Sequence, residues 1–145
     1  MANYSVDADL TNLRPNILNN GQAGFAWAHT QAYNDINNRI EAEWYMSAAS
    51  GHSIDPNTTA MDLTKLVAAE LKMLSIYRAL ELIYISMAKD VPTEDGPFQW
   101  AAWARNEYNI EFERLLKVGF SYDWAGDGIT QADKFESYMP GLIRC

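Results

Sequence analysis

Five apolar residues recur at every fourth position between residues 28 and 44, and this repeat constrains the fold more than any other feature. The repeat consists of Ala28, Ala32, Ile36, Ile40 and Trp44. Residues four apart lie on one face of an α-helix, whereas a strand alternates its faces every two residues. The pattern predicts an amphipathic helix over residues 24–49, with a polar face rich in Asn, Asp, Arg and Glu.

Two further segments, 60–89 and 98–118, have helical patterns. The first follows Thr-Ala-Met-Asp at residues 59–62, a capping-box sequence, and its apolar surface extends almost all round, which predicts a central or shared helix. The second begins after Pro97 and ends before Gly119, both typical of helix ends. The predicted core side chains of these helices are Leu63, Leu66, Val67, Leu71, Leu74, Tyr77, Leu80, Tyr84, Met87, Trp100, Trp103, Ala104, Tyr108, Phe112 and Leu116.

Shorter elements are predicted at both ends of the chain. Leucine and isoleucine spacing over residues 9–18 predicts one or two short helical turns, because Pro15 interrupts any longer helix. A second capping-box sequence at residues 130–133 predicts a short helix over 131–138. The predicted fold is therefore all-α: a small bundle of three main helices with short N-terminal turns and an extended C-terminal arm. The predicted division is a bundle domain over 1–118 and an arm over 119–145.

Charge and composition disfavour several partners. The chain has 19 acidic and 11 basic residues, a formal net charge of −8. Tight binding to nucleic-acid phosphates or to an anionic membrane needs clustered Lys and Arg, although an acidic wall would let DNA slide past. The one cysteine, Cys145, excludes an intrachain disulfide. Neither a signal peptide nor a membrane span is recognisable, so we expect synthesis in the cytoplasm.

The sequence shows no recognisable catalytic set. Its two histidines, His29 and His52, lack a nucleophile and an orienting group at a typical spacing. A di-iron site in a helical bundle would need Glu-x-x-His pairs, and neither histidine follows a glutamate by three residues. The helical glutamates are interpreted as solvated or salt-bridged carboxylates. We predict that the chain is not an enzyme and has no cofactor.

The segment 123–128 is similar to part of an EF-hand loop. Asp123, Asp127 and Gly128 match positions 1, 5 and 6 of that loop. Ala125 stands at position 3 and Lys134 at position 12, where oxygen ligands belong. Asp123 and Asp127 are thus weak calcium candidates. The favoured alternative is an Asp-Gly turn without a metal.

Aromatic and apolar residues outside the regular helical stripes are candidates for anchors at a protein interface. Large rings of this kind dominate the energetics of many interfaces. Trp44 and the aromatic residues of the later helices are assigned instead to the core. The predicted interface residues are Tyr4, Trp27, Tyr122, Trp124, Tyr138, Leu142 and Ile143.

Several segments in order resemble a known family over most of the chain. These are residues 4–10, 13–18, 36–45 and 74–80, the third helix with Tyr108, the Asp-rich turn 123–128 and a short tail. The arrangement resembles the head–tail connector, or adaptor, proteins of tailed bacteriophages.

The resemblance implies a structural virion protein at the head–tail interface. It implies a ring of neighbouring copies that binds the portal protein, offers a docking surface to the next tail component and extends the DNA channel. From the acidic charge we further expect acidic side chains to line this channel, so that DNA slides through it without tight binding during ejection, and we expect no membrane partner. Two alternatives stay open: another helical interaction module of a virion, such as a tail-completion or scaffold-type protein, and a calcium-binding helical protein.

Overall fold

A computed structural model of the protein describes residues 3–15, 17, 24–88 and 96–133. This part of the chain is mostly helical, so the predicted all-α class of a small helical bundle is confirmed. Its α-helices are α1 (Asp7–Leu13), α2 (Ala26–Ile40), α3 (Met46–Gly51), α4 (Lys72–Ala88) and α5 (Pro97–Val118). Two short strands, β1 (Phe120–Tyr122) and β2 (Gln131–Asp133), pair antiparallel, with Ser121 opposite Ala132.

The predicted helix over 24–49 exists as α2 and α3, joined by a π-helical turn over Glu41–Tyr45. All five residues of the four-residue repeat are fully buried, as predicted. A row that repeats every four residues drifts round a helix of 3.6 residues per turn. The wider turn, closed by i→i+5 hydrogen bonds, offsets that drift. It also lets Trp44 and the adjacent Tyr45 both be buried.

The chain forms two compact units, each built from two chain segments. The first unit comprises Met1–Asn37 and Ala68–Glu113, and the second comprises Asn38–Val67 and Arg114–Cys145. The predicted division into 1–118 and 119–145 stays a prediction. Buried residues that form the core of the first unit are Leu10, Ile17, Phe25, Ala28, Ala32, Ile76, Ala79, Leu80, Ile83, Tyr84, Ala101 and Ala104.

Aromatic rings fill the core of the second unit. The ring of Trp44 lies 5.5 Å from that of Phe120 and 5.9 Å from that of Tyr122, centroid to centroid. Tyr45 packs on Tyr122 from the next position along the helix, at 5.9 Å. The π-helical turn therefore supplies two consecutive rings to one cluster, and β1 supplies the rings that they contact.

The predicted helix over 60–89 is wrong over residues 60–71, because α4 begins only at Lys72. Two short 3₁₀ turns, Leu63–Lys65 and Ala68–Leu71, precede it. The backbone of this segment pairs with β1 instead: Leu66 forms a bridge with Tyr122, and the carbonyl of Lys65 accepts the amide of Asp123 at 3.1 Å. Asp62 caps the first 3₁₀ turn through the amide of Thr64, so the capping box at 59–62 starts no α-helix.

Two other predictions need correction. Residues 131–133 form a strand, so no helix starts at the capping-box sequence 130–133; the rest of that predicted helix, 134–138, lies outside the described residues. Trp100 and Leu63, both predicted to be core residues, are exposed. Helix α5 agrees with the predicted 98–118 to within one residue. Among the described residues, no helix is long and apolar enough to cross a bilayer.

Candidate interaction sites

The segment before α1 is held on the first unit by side-chain hydrogen bonds. The Tyr4 hydroxyl donates to Oδ1 of Asn37 at 2.6 Å, and its ring packs against that of Tyr33 at 4.8 Å. Burial raises the pKa of Tyr4 to about 12, with the neighbouring Tyr33 adding to the effect and the bond to Asn37 opposing it. Tyr4, a predicted interface residue, thus has partners within its own unit.

A buried chain of hydrogen bonds continues from this segment. Oγ of Ser5 lies 2.7 Å from Nδ1 of His29 and 2.6 Å from Oγ of Ser75, and Nε2 of His29 lies 3.1 Å from Oδ1 of Asp7. An ionised carboxylate only accepts, so Nε2 donates to Asp7. In the neutral imidazole, Nδ1 then accepts from Ser5, which accepts from Ser75. Each link has a donor and an acceptor.

The same residues have the composition of a Ser-His-Asp triad, an arrangement that the sequence prediction missed. The three lie within 25 positions of one another, but Ser5 and His29 are buried. A catalytic serine needs a site about 3 Å from its oxygen where a substrate atom can lie. Here Oγ of Ser75, 2.6 Å from Oγ of Ser5, lies where such a substrate atom would have to be. The arrangement is suited to anchoring the N-terminal segment.

A second buried polar group, Glu81, lies on α4. Its side chain is 2% exposed and accepts from Nη1 of Arg78 at 2.7 Å and from Nε of Arg105 at 2.6 Å. Arg78 also pairs with Asp35 of α2 at 2.9 Å. Burial lowers the pKa of Arg78, but its bonds to Asp35 and Glu81 raise that pKa by a larger amount, so the net shift is upward. The network links α2, α4 and α5 within the first unit.

The first unit presents both projecting rings and a recess at its surface. Trp27 is 45% exposed and Phe98 is 56% exposed. Trp100 is also exposed, and the guanidinium of Arg14 lies over its ring at 3.7 Å from the centroid. The recess, about 260 Å³, is lined by Asp9, Asn12, Leu13, Lys72, Met73 and Ile76.

The two described aromatic interface candidates of the second unit, Tyr122 and Trp124, differ in exposure. Tyr122 is buried; its hydroxyl accepts the amide of Asp62 at 2.9 Å, and burial raises its pKa. Trp124 is half-buried, and its ring lies 4.5 Å from that of Tyr122 and 4.1 Å from that of His52. The sequence pattern did not point to His52, because a loop histidine has no periodicity that indicates its neighbours.

The turn after β1 uses its carboxylates on its own backbone. Oδ1 of Asp123 accepts the amide of Asp127 at 3.2 Å, and Oδ2 accepts that of Gly128 at 2.9 Å. Asp127 in turn accepts the amide of Ile129 at 2.9 Å. The Gly128 amide is the main cause that lowers the pKa of Asp123. The geometry is that of an Asp-Gly turn, the alternative favoured from the sequence.

A cavity of about 310 Å³ lies beside this turn in the second unit. The described part of its wall combines an imidazole, an indole, one carboxylate and three aliphatic side chains. The lining residues are His52, Ile54, Trp124, Ala125, Asp127 and Ile129. Of these, Ile129 is 68% exposed. Of the lining residues, only Trp124 and Asp127 were predicted site residues, since nothing in the sequence places residues 52–54 beside them.

Three predicted interface residues, Tyr138, Leu142 and Ile143, lie outside the described residues. Within the described ranges, no three His, Cys, Asp or Glu side chains converge as a metal site would require. The role of the predicted interface residues stays a prediction.

Comparisons of the chain with protein-family models, with curated proteins and with solved structures give no match.

Proposed function

We propose that this chain is a structural virion protein, a head–tail adaptor that forms a ring between the portal protein and the next tail component. The ring would extend the DNA channel, and DNA would pass without being tightly bound. The resemblance described above motivates the proposal. Its main structural support is the surface of the first unit, which carries projecting aromatic side chains and a separate apolar recess.

A ring needs two different patches on each subunit. Heterologous contacts join one patch of a subunit to another patch of its neighbour, and they close when the rotation is right. Trp27 and Phe98 are of the residue type that anchors interfaces. The recess is partly walled by the exposed side chains of Leu13 and Met73. The projecting rings and the recess supply two such patches on one unit.

Charge supports the same role. The net charge of −8 gives a field that repels phosphate, so DNA inside such a ring would stay mobile. Because this chain has no surplus of positive charge, its binding to the portal would depend mainly on apolar and aromatic contacts.

The test is to mix the purified protein with portal particles of tailed phages and to image the particles by electron microscopy. We expect an added ring on the portal with the wild-type protein and no added ring with Trp27→Gln, which removes a projecting ring. Asn106→Ala, an exposed polar change on α5, is the matched control and should leave the ring unchanged. Particles that never acquire a ring from the wild-type protein would contradict the proposal.

A further inference from the structure

We propose that the cavity beside the turn 123–128 binds an arginine side chain of a partner protein. The inference rests on the protein-binding part of the proposed function, but it does not depend on which virion component the partner is. At about 310 Å³, the cavity is at the small end of the range for ligand pockets. That size suits one long side chain better than an extended small molecule.

The charge of the wall favours a cation. Among the described residues that line the cavity, Asp127 is the one carboxylate and none is a Lys or Arg. Oδ1 of Asp127 accepts the Ile129 amide, but a carboxylate has about four acceptor positions, so one amide does not saturate it. The acidic chain as a whole also attracts a basic partner and steers its approach.

The aromatic and aliphatic part of the wall favours arginine over a compact ammonium group. The rings of His52 and Trp124 stack face to face, with centroids 4.1 Å apart and an interplanar angle of 12°, so a guanidinium would stack on an outer face of this pair. A guanidinium is planar, stacks on aromatic rings and pairs with a carboxylate through a fork of N–H groups. Ile54 and Ile129 supply aliphatic surface for the methylene stem of such a side chain.

The test uses N-acetyl-arginine methylamide as the probe and its uncharged citrulline counterpart as the comparison. The ¹H–¹⁵N NMR spectrum of the full chain is followed during titration, at the indole N–H of Trp124 and the amides of Asp127 and Ile129. We expect saturable shifts with the arginine compound, with a Kd on the order of 1 mM. Binding of the citrulline compound should be weaker by at least about tenfold, because its ureido group is uncharged and the charge-assisted pairing with the carboxylate is lost.

Two variants make the test specific. Asp127→Asn removes the charge but keeps an oxygen for the Ile129 amide, and it should weaken binding by at least about tenfold. Glu113→Gln, the same charge change on an exposed residue of the first unit, should bind like the wild type. Should Asp127→Asn disturb the turn, as seen in the amide shifts of β1, Ala125→Leu tests the site by filling the cavity instead and should abolish binding.

The proposal is overturned if the arginine compound gives no saturable shift, if citrulline binds equally well, or if both cavity variants bind normally. None of these results alters the outcome of the portal-binding experiment, which uses Trp27 in the other unit. Failure of the arginine site is therefore distinguishable from failure of the adaptor function.

Discussion

The imidazole of His52 lies parallel to the indole of Trp124, with ring centroids 4.1 Å apart. The contact ties the end of α3 to the turn after β1. Both residues also line the cavity for which we propose an arginine ligand. The stack therefore sets the position of a wall of that cavity as well as contributing to the stability of the second unit.

Removing the imidazole should loosen this unit. We expect His52→Ala to lower the free energy of unfolding by about 1 kcal/mol, the scale of an aromatic pair. His52→Phe keeps a flat ring over Trp124 and should retain most of the stability. Urea unfolding followed by circular dichroism measures both. Equal losses in the two variants would show that stacking is not what the imidazole contributes.

Gly24 should tolerate no side chain without loss of the Asp7 contacts. A Cβ at this position would lie 2.8 Å from Oδ2 of Asp7, whose carboxylate accepts from His29 and from the amide of Phe25. We expect Gly24→Ala to cost about 1–3 kcal/mol as these hydrogen bonds are displaced. Gly51→Ala is the control, since a Cβ there meets nothing within 4 Å. In thermal unfolding, Gly24→Ala should have a clearly lower melting temperature than Gly51→Ala. The reverse order would contradict the close approach of Gly24 to Asp7.

The ion pairs of Glu81 should be asymmetric in their contribution to stability. Glu81→Ala removes the buried carboxylate that both arginines contact and leaves Arg78 paired only with Asp35, and we expect a loss of about 1–3 kcal/mol. Arg105 has a side chain that is 61% exposed, so Arg105→Ala should cost less than about 1 kcal/mol. Chemical denaturation of the two variants gives the comparison. If Arg105→Ala lowered the free energy of unfolding as much as Glu81→Ala, the ion pair between the two residues, and not the burial of Glu81, would account for the loss.

Alkaline pH should destabilise the protein partly through Tyr4. Its pKa is raised in the folded state from 10.0 to about 12, so the unfolded chain loses this proton first. The stability that Tyr4 contributes is fully present below pH 10 and is lost as the pH rises through about 12. Tyr4→Phe should therefore show a shallower fall in the free energy of unfolding over this window, by at most about 1.4 kcal/mol per pH unit. Identical slopes in the two proteins would contradict burial of the phenol.

The helices predicted correctly are those in which the apolar repeat continues over many consecutive residues. The repeat from Ala28 to Trp44 defines one face and is buried throughout, as predicted. In the predicted row of α5, Ala104, Tyr108 and Phe112 are buried, whereas Leu116 is half-buried and Trp100 is exposed. Trp100 fits the periodic row, but it lies in the first turn of α5 and packs against Arg14. Periodicity alone cannot distinguish a core position from such an exposed contact.

The errors arise where distant segments determine the backbone. Residues 60–71 have a helical pattern, yet Leu66 pairs with Tyr122 and Lys65 with Asp123. Tertiary pairing of this kind overrides helix propensity and leaves no local signal. The same holds for the candidate sites: His52 meets Trp124, and Ser5 meets His29 and Ser75, only because the fold brings them together.

The bridge between Leu66 and Tyr122 also has a consequence for the order of folding. Contacts between residues far apart in sequence form slowly, because a long loop must close before they add stability. A ribosome releases the chain from its amino end, so the residues around Leu66 emerge well before β1 exists to receive them. The aromatic cluster of the second unit can assemble only after synthesis has passed Trp124, and until then Trp44 and Tyr45 are exposed to aggregation or to chaperones.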